Sequence, residues 1–142
     1  MKMIKSIYNQ IIDEQKSIPP ETGGIIGGSS DVVSIYEYDE GIQSDKMCSY
    51  IPNIKLLNEV IKKWQNEDIL FMGIYHVHFW NVETLSKGDL VYIEKIIRNM
   101  PEKIGKLYFP IVVMPKRYMV VYTAKIVSGK VVVDKEEIEL LA

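Results

Sequence analysis

Residues 69–78 read Ile69-Leu70-Phe71-Met72-Gly73-Ile74-Tyr75-His76-Val77-His78. The apolar run from Ile69 to Val77 has the length and the β-branched and aromatic content of a buried central strand. It delivers His76 and His78, the only histidines of the chain, to one end of the sheet. Strand side chains alternate, so both rings project from the same face, with Cα atoms about 6.6 Å apart. Two imidazoles at that spacing can converge on one ion. They can equally be strand-end histidines bonded to backbone or solvent.

Outward from this strand the hydrophobic period changes. Ile54, Leu57, Ile61 and Trp64 repeat at helical spacing before it, after Pro52, a residue suited to a helix start. Leu90, Ile93, Ile96, Ile97 and Met100 do the same after it and stop before Pro101. Residues 3–16 carry Ile4, Ile7, Tyr8, Ile11 and Ile12 on one helical face, and Pro19 and Pro20 end that helix. Between Thr22 and Tyr38 two strand patterns flank Ser29, Ser30 and Asp31, which predicts a hairpin. Residues 39–50 are polar and weakly patterned, a loop with a short strand near Met47 to Tyr50. Tyr108–Met114, Met119–Val127 and Lys130–Val133 read as strands, the last two joined at Ser128-Gly129. The order predicts one α/β domain over 1–142, a mixed sheet flanked by about three helices.

Composition agrees with that architecture. The 142 residues suit one domain, and 47% hydrophobic with 25% charged residues is an ordinary globular balance. A net charge of −2 offers no overall attraction to nucleic acid or an anionic membrane. Asn9, Gln10, Asp13 and Glu14 interrupt any apolar run of signal-peptide or membrane-span length, so a cytoplasmic location is expected. Cys48 is the single cysteine, which excludes an intrachain disulfide and a thiolate-rich structural zinc site. Any metal must therefore use His, Asp or Glu.

Ser86 and Asp89 open the helix that follows the histidines. Ser-x-x-acid is a capping-box pattern, yet Asp89 also falls at the edge of the buried helix face, where a carboxylate needs a partner. The two roles can coexist. Catalytic zinc typically takes three N/O protein ligands and leaves a fourth position open, and His76, His78 and Asp89 supply that number. Bound zinc lowers the pKa of water to roughly 7, and Glu21, between two prolines and two glycines at the mouth of a strand, is the candidate proton acceptor. The glycines from Gly23 to Gly28 lack the Gly-Lys-Ser/Thr ending of a phosphate loop; they suit a bulge or a close backbone approach beside the site.

Glu21 in Glu-Thr-Gly-Gly-Ile-Ile-Gly-Gly, then His76-x-His78, seven residues, Ser86, two residues and Asp89 resemble the JAMM motif of the MPN-domain (JAB-like) metallopeptidases. Tyr-Ile-Pro-Asn before the second helix and Leu-Tyr-Phe-Pro-Ile-Val-Val after the third look like the bacterial branch. The resemblance implies an MPN/JAB-like, cytidine-deaminase-like architecture. It also implies a zinc (Zn2+) hydrolase of the deubiquitinase type, which cuts isopeptide or peptide bonds next to the C-terminal glycine of a ubiquitin-like protein. By motif position His76, His78 and Asp89 bind zinc. Glu21 takes a proton from the zinc-bound water and passes it to the leaving amine, and Ser86 helps hold the oxyanion.

Two positions depart from the family pattern, Val77 between the histidines and Phe79 after them. Val77 should face away from the ligands. Phe79 and Trp80-Asn81-Val82 should alter the loop beside the cleft and with it the substrate preference. Two other functions compete with the first. One is a peptidase that trims a sulfur-carrier protein at its C-terminal Gly-Gly; the other is an inactive MPN-like module that binds partners. A cupin-type site would need a further histidine, which the chain does not have.

Overall fold

The computed structural model describes residues 1–42 and 50–142. The strand expected near Met47 to Tyr50, and Cys48, lie largely outside them. The chain runs β1 (Lys2–Ile4), α1 (Lys5–Glu14), β2 (Gly23–Ser29), β3 (Val32–Asp39) and α2 (Ile54–Asn66). Then come β4 (Leu70–His78), α3 (Lys87–Arg98), β5 (Lys106–Val113), β6 (Tyr118–Val127), β7 (Lys130–Glu136) and β8 (Glu139–Leu141). Among the described residues the eight strands form one mixed sheet in the order β7-β6-β5-β4-β2-β3-β1-β8. This is the α/β domain with a mixed sheet and three helices that the periodicity predicts. No helix among the described residues is long and apolar enough to cross a membrane.

The apolar run becomes β4, near the middle of the sheet, antiparallel to β2 and parallel to β5. Its alternation sends side chains to two different cores. Tyr75, Val77 and Phe79 join Met3, Ile11 and Ile12 in the cluster under α1. Ile74 faces the other way, into a cluster with Leu57 and Trp64 of α2 and Ile93 and Ile97 of α3. His76 and His78 share the parity of Ile74, so the histidines stand on the α2/α3 face. Val77, fully buried on the opposite face, is turned away from them, as expected.

Three local readings are corrected. The first helix begins at Lys5, because residues 2–4 pair in parallel with β3 and β8 as β1. Asn53, not Pro52, starts α2; its side-chain oxygen accepts the Leu56 N–H at 3.3 Å and satisfies one of the free donors of the first turn. Phe79 does not line the cleft loop, being only 5% exposed within the α1 core.

Gly73 lets β4 and β5 approach closely. A Cβ at this position would lie 1.8 Å from the Tyr108 carbonyl oxygen, and a backbone oxygen cannot swing aside as a side-chain end can. Gly73→Ala is therefore expected to lower unfolding stability by about 3 kcal/mol, read as a drop in the urea midpoint.

Candidate metal centre

Four residues expected from the sequence come together at the end of β4. His76 and His78 present Nε2 atoms 2.9 Å apart. The Asp89 carboxylate spans both rings, with Oδ1 3.3 Å from His76 Nε2 and Oδ2 3.1 Å from His78 Nε2. Glu21 closes the group: its carboxylate and the two imidazoles offer ligand atoms that all lie within 4.8 Å of one another.

Each side chain is held by its element. His78 Nδ1 donates to the Val82 carbonyl at 3.3 Å, which turns Nε2 toward the centre. Asp89 is held by a capping box. Its backbone N–H donates to Ser86 Oγ at 3.0 Å, and its Oδ2 accepts the Ser86 N–H at 2.8 Å. The capping box expected of Asp89 is thus present, on the same carboxylate that spans the two histidine rings. Glu21 is held through its neighbour Thr22, which has two anchors: its hydroxyl donates to Gln15 Oε1 in a buried bond at 2.8 Å, and its carbonyl accepts the Val77 N–H at 2.9 Å. The first ties Glu21 to the end of α1, the second to the histidine strand.

The glycines of β2 complete this approach. Gly23 pairs with His76, and a Cβ on Gly23 would meet the Tyr75 carbonyl at 2.3 Å and the Tyr50 ring at 2.7 Å. The close backbone approach expected of this stretch is present beside the site. A register shift follows at Gly27 and Gly28, farther along β2.

The electrostatics separate the two carboxylates. Burial raises the Glu21 pKa, against the pull of the two histidines and the Tyr50 N–H. Burial acts in the same direction on Asp89, but the hydrogen bonds and charges of His76 and His78 outweigh it and hold that carboxyl far below the usual range. His78 is pushed down by burial, yet its bond to Asp89 and the charges of Asp89 and Glu21 raise it overall. One carboxylate is thus locked in the anionic form while its neighbour is moved toward neutrality, a division of roles seen in acid/base sites.

The sequence reading missed Asp39. At 3% exposure, it accepts the Gly41 N–H at 2.8 Å on Oδ1, and the Tyr50 O–H at 2.7 Å and the Asn53 N–H at 2.9 Å on Oδ2. Tyr50 in turn donates its N–H to Glu21 Oε1 at 3.1 Å. Asp39 therefore pins the segment that positions Glu21. An aspartate ending a strand reads as a turn residue, so only the third dimension shows this role. Asp39→Ala would strand three donors and is expected to cost about 2–4 kcal/mol, seen by urea denaturation.

Zinc takes N and O donors at about 2.0–2.2 Å in a tetrahedron, which places donor atoms roughly 3.3 Å apart. The two Nε2 atoms stand 2.9 Å apart, and each has an oxygen of the Asp89 carboxylate beside it, Oδ1 at 3.3 Å from His76 and Oδ2 at 3.1 Å from His78. The donor set therefore fits such an ion.

Comparison with known proteins agrees with this architecture. Across 99% of this chain and 92% of the other, the fold is similar to the solution structure of a Desulfitobacterium hafniense protein, with a TM-score of 0.64 at 18% identity. It is also similar, over the full length of both chains, to the crystal structure of a JAB1/MPN domain protein from Archaeoglobus fulgidus, with a TM-score of 0.59 at 16% identity. The fold is MPN/JAB-like. No protein-family model matches the sequence, and no curated protein does.

Proposed function

We propose that this protein is a zinc-dependent peptidase of the cytoplasm. Its substrate is a ubiquitin-like or sulfur-carrier protein, cut at the peptide or isopeptide bond next to the C-terminal glycine. Neither nucleic acid nor a membrane takes part. The observation that carries this reading is the pair of His76 and His78 Nε2 atoms 2.9 Å apart with the Asp89 carboxylate spanning both, one oxygen to each ring, and Glu21 beside them.

In this reading His76, His78 and Asp89 hold the metal, and Glu21 stays out of the ligand set as the base. When bound, zinc supplies a Lewis acid that makes hydroxide available near neutral pH. The Glu21 carboxylate accepts a proton from the attacking water, and the burial that raises its pKa strengthens its hold on that proton. Water adds its oxygen to the glycyl carbonyl carbon, the C–N bond breaks, and Glu21 returns the proton to the departing amine. Ser86 Oγ already accepts the Asp89 N–H, so its own O–H is left to donate to the carbonyl oxygen as negative charge gathers there.

The test combines metal content by elemental analysis with cleavage of a ubiquitin-like fusion carrying Gly-Gly at the junction. About one zinc per chain together with cleavage is the expected result. A protein that takes up no zinc when it is supplied would sink the hydrolase reading and favour a partner-binding module.

A further inference from the structure

A cavity of about 320 Å3 opens directly beside the reacting groups. Its polar wall is His76, Ser86 and Asp89; the rest is mostly apolar, built from Ile51, Pro52, Ile74, Ile93 and Phe109 with the rings of Tyr50 and Tyr92. That size is at the lower end for small-ligand pockets, and the mixture of apolar walls with a few convergent polar groups is their usual composition. Whatever fills the cavity lies against the groups that would do the chemistry. Its occupant is therefore a substrate side chain next to the scissile bond, not a distant docking element.

This inference rests on the function proposed above, and that function fixes which side the occupant comes from. The acyl side of the bond ends in glycines, which have no side chains to fill an apolar hole. An acidic side chain would have to give up its hydration against the apolar wall, which disfavours an acidic occupant. We infer that the cavity receives a bulky apolar side chain from the first residue on the amine side of the bond, so that the preferred substrate is a linear Gly-Gly-X extension with X aromatic or large aliphatic. Lysine-linked isopeptides are the competing occupant, since a lysine stem is also apolar.

Gly88 offers a way to close the cavity from its rim. It lines the space in the first turn of α3, and a Cβ added there meets only Ser86 Oγ, at an ordinary 3.7 Å. Replacing a helical glycine by leucine also improves helix propensity. Gly88→Leu should therefore fold, which circular dichroism and thermal unfolding would verify.

The experiment uses the zinc-supplied full chain and a ubiquitin-like protein extended past its Gly-Gly by a single Phe, Leu, Ala or Asp, with a Gly-Gly-lysine isopeptide alongside. Two quantities are read: kcat/KM for the parent, and binding of the same substrates to Glu21→Gln by calorimetry. The expected result is a preference for Phe and Leu over Ala of about 10- to 100-fold, with Asp poorest and the isopeptide below Phe. Gly88→Leu should bring the Phe-to-Ala ratio down toward one. Cleavage of all substrates within about threefold of one another, or a preference for the isopeptide, would overturn this inference and leave the hydrolase standing. Failure to cleave any of them would overturn the hydrolase reading, and this inference with it.

Discussion

Glu21→Gln is expected to carry as much zinc as the parent and to hydrolyse a Gly-Gly fusion about 10²- to 10⁴-fold more slowly, the range that a positioned general base contributes. The substitution keeps the shape of the side chain and an oxygen to accept the Tyr50 N–H. It removes the group able to take a proton. Elemental analysis beside steady-state kinetics reads both halves. Because Glu21 also lies within 4.8 Å of His76 and His78, it could serve as a third ligand in place of Asp89, and Glu21→Gln would then lose the metal too. Zinc loss in this variant would move Glu21 from base to ligand.

Asp89→Ala is expected to lose both zinc and activity. Among the described residues its carboxylate is the one bonded to both rings, and without it the two imidazole nitrogens 2.9 Å apart lose the anion that bridges them. A smaller effect comes from the capping box, where removal of a cap typically costs about 1 kcal/mol. Asp89→Asn separates the two contributions, since the amide oxygen can still accept the Ser86 N–H while the charge is gone. Elemental analysis should find both variants metal-free, and thermal unfolding should find the Asn variant closer to the parent. An Asp89→Ala protein with a full complement of zinc would show that the ligand set is Glu21, His76 and His78.

The elements that rest on local pattern were legible in the sequence. The apolar run of β4 and the helical stripes of α2 and α3 each repeat within a few residues, so periodicity alone places the histidines on a strand end and Asp89 on the first turn of the helix opposite. Elements defined by distant partners were not. Lys2–Ile4 and Glu139–Leu141 are three residues each and exist as strands because they pair with each other across the length of the chain; nothing in three residues announces that. Asp39 is illegible for the same reason, since its role depends on donors from residues 41, 50 and 53. Phe79 shows the opposite failure. It follows His78 directly, which suggests the cleft, but just past the end of β4 it turns to the same face as Tyr75 and Val77, and the exposed residue is Trp80, at 74%.

Ser86 and Asp89 form a capping box whose acidic member also spans two histidines. The order of the first turn of α3 and the occupancy of the centre therefore draw on the same carboxylate and are thermodynamically linked. An ion that fixes the Asp89 side chain also lowers the entropy lost in forming that turn, and a well-formed turn presents the side chain already oriented. Amide hydrogen exchange at the start of α3 thus becomes a gauge of metal loading, slowing as the centre fills and quickening under a chelator, with no substrate needed to read it.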